Sequence, residues 1–151
     1  MEKIILAADH AGFLLKEEVK SFLSHQGWIV VDEGTVDEQP VDYADYAAAV
    51  AEGVSSGRYD RGILVCGSGV GMAIVANKFP GVRAALSLDE GMAALSRRHN
   101  DSNILVLAGR MTRSDVALKI VTTWLQTPFE GGRHQRRLDK IKAIEQELLK
   151  Q

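Results

Sequence analysis

The only thiol in this chain, Cys66, ends an apolar run and opens a glycine-rich turn, LVCGSGVGMAI at 64–74. Gly67, Gly69 and Gly71 stand at alternate positions ahead of an Ala/Ile/Val stretch of helical character. Alternate glycines let backbone N–H groups turn inward before a helix, which makes an anion site. The anion can be a stable phosphate or an oxyanion formed during a reaction. Two nucleotide readings fail on the residues. A dinucleotide fingerprint needs GxGxxG after the first strand of its unit, whereas this loop reads GxGxG, has Met72 at the sixth position and follows the third strand-like run. A Walker loop needs Lys and Ser/Thr after its last glycine, and Met72 and Ala73 stand there instead. Cys66 is then either an inert buried thiol or a reactive one beside a helix N-terminus that favours the thiolate.

Other side chains suited to chemistry fall into three groups. Asp9-His10-Ala11-Gly12 and Gly109-Arg110 each follow a strand-like run, as the Cys66 turn does. Asp9 is a helix cap or a functional carboxylate, and His10 an incidental loop residue or a titrating one. In GGRHQRR at 131–137, Arg133 and Arg137 are four apart and share a helix face. Two guanidiniums there suit bidentate phosphate recognition, or form an ordinary basic face paired with carboxylates. His99-Asn100, in RRHND, suits either chemistry or a plain helix C-terminus. The four histidines (His10, His25, His99 and His134) form no recognisable ligand spacing with Cys66, so no metal is expected. His25 reads as a helix-end residue.

The elements that must position these residues follow from periodicity. Continuous apolar runs at 3–8, 28–32, 61–66, 82–87 and 103–108 predict strands. Helices are expected at 11–27, 41–56, from the glycine turn to 78, 89–98, 114–125 and 133–151. In the first, Phe13, Leu14, Val19, Phe22 and Leu23 mark an apolar face. Buried strands, each followed by a helix, imply a parallel sheet covered on both faces. The expected fold is a single α/β domain over 1–151: a three-layer α/β/α sandwich, Rossmann-like, with a five-stranded parallel sheet and an extra C-terminal helix. Ligands bind such sheets at the carboxyl ends of the strands, near a switch in strand order. Asp9, His10, Cys66 and Arg110 converge there.

His99 precedes the fifth strand and so lies at the opposite edge. A strand of about six residues spans roughly 20 Å, so His99 does not reach Cys66 of its own chain. If His99 is catalytic, a neighbouring subunit supplies it across a two-fold axis, which predicts a dimer with shared sites. The last helix carries Leu138, Ile141, Ile144 and Leu148 at helical spacing, for docking on a partner or on its own sheet.

Composition narrows the partners. A net charge of −2 and a pI near 6.1 give no reason to expect nucleic acid or an anionic membrane. No apolar run approaches the roughly 20 residues of a membrane span, and no leader-like segment opens the chain. One cysteine among 151 residues forms no internal disulfide, and a reducing cytoplasm is the expected compartment.

Seven segments in order, DHAGF (9–13), GT (34–35), DYADYA (42–47), ILVCGSGVGMAIVANK (63–78), SRRHND (96–101), AGR (108–110) and FEGGRHQRR (129–137), carry a resemblance. The chain resembles, essentially end to end, the type B ribose-5-phosphate isomerases and the related allose-6-phosphate and galactose-6-phosphate isomerases. The resemblance implies that Cys66 moves a proton between C2 and C1 of an open-chain sugar phosphate. It implies that the N–H groups of Gly67, Ser68, Gly69, Val70 and Gly71 hold the enediolate, with Ser68 relaying a proton between its oxygens. His99 would open the furanose ring, assisted by Asp9, and Asn100 would hold substrate oxygens. His10, Arg110, Arg133 and Arg137 would surround the phosphate, and Tyr43 would line the sugar pocket. The chemistry implied needs neither metal nor organic cofactor, and the assembly implied is a homodimer or a dimer of dimers. Family members with this cysteine often have Thr where Ser68 stands, and either hydroxyl can relay a proton. Members without it use a glutamate a few positions later, where this chain has Ile74 and Val75.

Overall fold

The computed structural model describes residues 2–151. Its elements are β1 Lys3–Ala8, α1 Phe13–His25, β2 Ile29–Asp32, α2 Tyr43–Ser55, β3 Gly62–Cys66 and α3 Val70–Ala76. They continue with β4 Ala84–Leu86, α4 Glu90–Asn100, β5 Ile104–Ala108, α5 Ser114–Gln126 and α6 Arg133–Leu149. All strand pairs are parallel, in the order β2-β1-β3-β5-β4. The expected three-layer sandwich with an added C-terminal helix is the fold observed. Among the described residues no helix is long and apolar enough to cross a membrane.

Strand side chains alternate between the two faces, as the pleat requires. Ile4, Leu6, Ala8, Ile63, Val65, Leu105 and Leu107 pack with α1, α4 and α5 around the fully buried Trp124. Ile5, Ala7, Leu64, Cys66, Ile104 and Val106 pack on the other face, against Val50 of α2 and Met72 of α3. The Cys66 side chain therefore points toward the α2/α3 layer.

The structure corrects the expected face of α1. Leu14 is 62% exposed, and Leu15, Lys16, Val19 and Leu23 are the buried residues. The helix starts at Phe13 rather than 11, because the Asp9 Oδ1 accepts from the N–H groups of Ala11 (3.0 Å) and Gly12 (3.1 Å). Lys16 is buried because Asp32, at the end of β2, meets it. Its Nζ donates to Asp32 Oδ2 at 2.8 Å and to the Thr35 carbonyl at 3.0 Å, while Lys20 reaches the same carboxylate at 3.1 Å. Burial alone would raise the pKa of Asp32. Hydrogen bonds from Lys16, the Gly34 N–H and Lys20 outweigh it and hold the carboxyl below its ordinary value. This buried pair fixes the start of the 33–42 segment, which leads to the site.

Helix α6 does not lie on the sheet. His134 is its one buried residue, and Ile141, Ile144, Leu148 and Leu149 are 50–62% exposed. Of the two destinations expected for its apolar stripe, the chain's own sheet is not the one adopted.

Candidate active site

The strand order reverses between β1 and β3, since β2 lies to one side of β1 and every later strand to the other. The crevice expected at such a switch is built by three post-strand loops that touch. The Asp9 N–H donates to the Val65 carbonyl (3.3 Å), the Gly109 N–H to Cys66 (2.8 Å) and the Arg110 N–H to Gly67 (3.0 Å). Gly12 permits this approach, because a Cβ there would stand 2.3 Å from the Val65 carbonyl oxygen.

The resulting cleft, about 460 Å³, is lined by Asp9, His10, Ala11, Tyr43, Cys66, Gly67, Ser68, Val70, Gly71, Ile74 and Arg110. Small-molecule pockets fall in the range of about 300–1,000 Å³. Cys66 is 5% exposed at the end of β3. After it, Gly69 takes φ +78° and caps α3, and its neighbours Ser68 and Val70 line the cleft. Among the described residues the N–H groups of Ser68 and Gly69 donate to no acceptor in the fold. They remain free for an anion.

Each neighbour of the loop is oriented. Asp9, 6% exposed, accepts at Oδ1 from two backbone amides and lines the cleft. His10 Nδ1 accepts from the Val41 N–H at 3.1 Å, which fixes the tautomer that carries its proton on Nε2. Tyr43 opens α2 with its ring over Gly71, where a Cβ would come within 2.4 Å of the ring. The Arg110 side chain passes over Gly67, 3.4 Å from where a Cβ would stand.

His99, Asn100, Arg133 and Arg137 are not in this cleft. His99 and Asn100 form the last turn of α4, one strand length from Cys66, at the end of the sheet where β5 begins. Asp101 follows in the left-handed region at φ 45°, held by Arg97 at 2.7 Å. The Glu130 N–H donates to the Arg98 carbonyl (3.1 Å), which brings the first turn of α6 against the end of α4. The candidate residues thus fall into two groups at opposite ends of the strands, with Arg110 in the first and Arg133 and Arg137 in the second.

The second group contains a residue that sequence reasoning passed over. The rings of His99 and His134 stack with centroids 4.2 Å apart and planes within 13°. His134 is 4% exposed, its Nε2 lies 3.4 Å from Glu130 Oε2, and that nitrogen has no hydrogen-bond partner. Burial, followed by the nearby charges of His99 and Arg133, lowers the pKa of His134 from 6.5. The signal lay inside GGRHQRR, where attention to the arginine pair obscured it. The donor atoms of His99, Glu130 and His134 lie within 4.8 Å of one another. Near-parallel stacked rings, however, aim their nitrogens side by side rather than at one point, which suits a metal ion poorly.

A sequence profile of the ribose/galactose isomerase family matches residues 4–141. Ribose-5-phosphate isomerase B of Escherichia coli (strain K12) is 47% identical over 146 residues, which cover 97% of this chain and 98% of that protein. The solved structure of Clostridium thermocellum ribose-5-phosphate isomerase B matches with a TM-score of 0.95 at 49% identity, covering 97% of this chain and 99% of that one. Ribose-5-phosphate isomerase B from Mycoplasma genitalium, solved with bound ribulose 5-phosphate, matches with a TM-score of 0.93 at 44% identity, covering 96% and 97%. From its first strand into its last helix, the chain belongs to the ribose/galactose isomerase family.

Proposed function

We propose that this protein interconverts ribose 5-phosphate and ribulose 5-phosphate, with Cys66 as the base. One observation carries the reading: a thiol at the end of β3 shares a cleft with unpaired loop amides, His10 and Arg110. The Cys66 thiolate takes the proton from C2 of the open-chain aldose, and the electron pair moves onto O1. The enediolate so formed lies against the N–H groups of Ser68 and Gly69, donors that preorganised oxyanion sites make worth about 3–4 kcal/mol each. The Ser68 hydroxyl passes the O2 proton to O1. Cys66 then returns its proton to C1, and the C2 carbonyl of the ketose forms. His10, through Nε2–H, and Arg110 hold the phosphate and orient the sugar.

The furanose must open first. His99 protonates the ring oxygen, Asp9 Oδ2 accepts from the ring hydroxyls, and Asn100 binds sugar oxygens. Since His99, Asn100, Arg133 and Arg137 lie on the opposite edge from Cys66, a second copy of the chain completes each site. The exposed stripe Ile141, Ile144 and Leu148 on α6 supplies apolar area for that contact.

The test offers ribose 5-phosphate, allose 6-phosphate and galactose 6-phosphate separately to the wild type and to Cys66→Ala. The highest kcat/KM is expected with ribose 5-phosphate, and Cys66→Ala is expected to lose turnover while keeping its circular dichroism and thermal midpoint. Near-normal turnover by folded Cys66→Ala refutes the base assignment, and a preference for either hexose phosphate refutes the substrate assignment.

A further inference from the structure

The His134 ring lies outside the cleft of Cys66 and its Nε2 has no hydrogen-bond partner, yet the fold buries it in the first turn of α6. Its environment is specific. One ring face covers His99 at 4.2 Å, the Glu130 carboxylate stands 3.4 Å from Nε2, and Arg133 and Arg137 are the charged neighbours on its own helix. A charge on His99 disfavours a second one on His134, whose burial already opposes it. Of the two, His134 is the buried ring and His99 the partly exposed one. Burial favours the neutral form of His134. The flat neutral face of His134 then does two things for the His99 ring. It restricts rotation about the His99 side-chain bonds, and it offers a π surface to any cation stacked on it.

We propose that His134 is a positioning residue for ring opening, whose stacked face holds the His99 ring in the orientation that protonates the furanose oxygen. This rests on the reading of His99 given above. It separates His134 from the C2-to-C1 proton transfer itself, whose reacting groups are Cys66 and the loop that follows it.

The two steps can be measured apart. Ribulose 5-phosphate carries its phosphate on the only oxygen that could close a five-membered ring, so it is acyclic. Exchange of its C1 hydrogen with D2O, followed by NMR, therefore requires Cys66 and the enediolate but no ring chemistry. Consumption of ribose 5-phosphate requires both. In His134→Ala, kcat for ribose 5-phosphate is expected to fall about tenfold, part of the 10²–10⁴-fold that a positioned acid supplies, while C1 exchange stays within about twofold of the wild type. His134→Phe, with a flat neutral ring and no nitrogen, is expected to restore most of the loss. Where His134→Ala does not fold, His134→Asn, which also lacks a ring face, takes its place. Equal losses in both assays, no loss in either, or failure of His134→Phe to restore the rate overturns the proposal. His99→Asn in the same assays separates it from the reading it rests on. If His99→Asn leaves ribose 5-phosphate consumption intact, the His99 assignment fails. If His99→Asn lowers consumption and His134→Ala does not, only the role of His134 fails.

Discussion

Replacing Gly69 by Ala tests whether the loop after β3 is shaped for its amides. At φ +78° the residue is in the left-handed region, where a Cβ costs about 1–2 kcal/mol. A Cβ built there also stands 2.4 Å from Leu86 Cδ1, 3.2 Å from Val106 Cγ1 and 3.3 Å from the Leu107 carbonyl oxygen. Relieving that overlap adds about 1–3 kcal/mol of overpacking, for a total near 2–5 kcal/mol. The Leu86 methyl can yield, but the Leu107 carbonyl belongs to the central sheet, so the loop must move as well. A displacement near 1 Å of the Ser68 and Gly69 amides is expected to lower kcat about 100-fold. Gly27→Ala is the reference. Gly27 has φ +90° with nothing within 4 Å of a Cβ, so it bears only the conformational cost of about 1–2 kcal/mol and no catalytic one. Urea unfolding and steady-state kinetics on both variants supply the comparison. Equal destabilisation at the two positions, or a Gly69→Ala enzyme within threefold of the wild-type kcat, refutes the reasoning.

Two other outcomes follow from side-chain geometry. Asp32→Asn strands the buried Lys16 ammonium with only Glu17 and the Thr35 carbonyl. It should lower unfolding stability by about 3 kcal/mol in urea titration. The folded pKa of Asp32 lies below its unfolded value of 3.8. Its stabilisation is therefore complete above that pH and lost as pH falls through the folded value, so the gap between variant and wild type should narrow in acid; a constant gap contradicts this. Arg110→Ala removes the guanidinium that lines the cleft. It should raise KM for ribose 5-phosphate about tenfold or more, with a smaller effect on kcat; an unchanged KM removes Arg110 from phosphate binding.

The sequence made the central strands legible because β1, β3 and β5 are apolar on both faces and leave no competing period. The Cys66 loop was legible for a related reason, since its glycines, its thiol and the following helix are local. Other features depend on contacts across the sheet. Lys16 reads as a solvent-facing residue until Asp32 arrives from β2. The order β5 before β4 at one edge follows from a crossover that periodicity does not encode. Leu14 and Leu15 are equally apolar, and only the Asp9 cap and the packing around Val19 decide which one turns inward. The same limit hid His134, whose partner His99 is 35 positions earlier and meets it only because the Glu130 N–H docks on the end of α4.

The central claim is that one active site takes Cys66 from one chain and His99 from another. Mixing Cys66→Ala with His99→Asn subunits after dissociation tests it directly. Random reassociation makes half of the dimers mixed, and each mixed dimer holds one complete site of two. Activity should therefore return to about a quarter of the wild-type value from two nearly inactive parents. Mixed dimers shown to form by mass spectrometry, yet no more active than either parent, contradict a site shared between subunits.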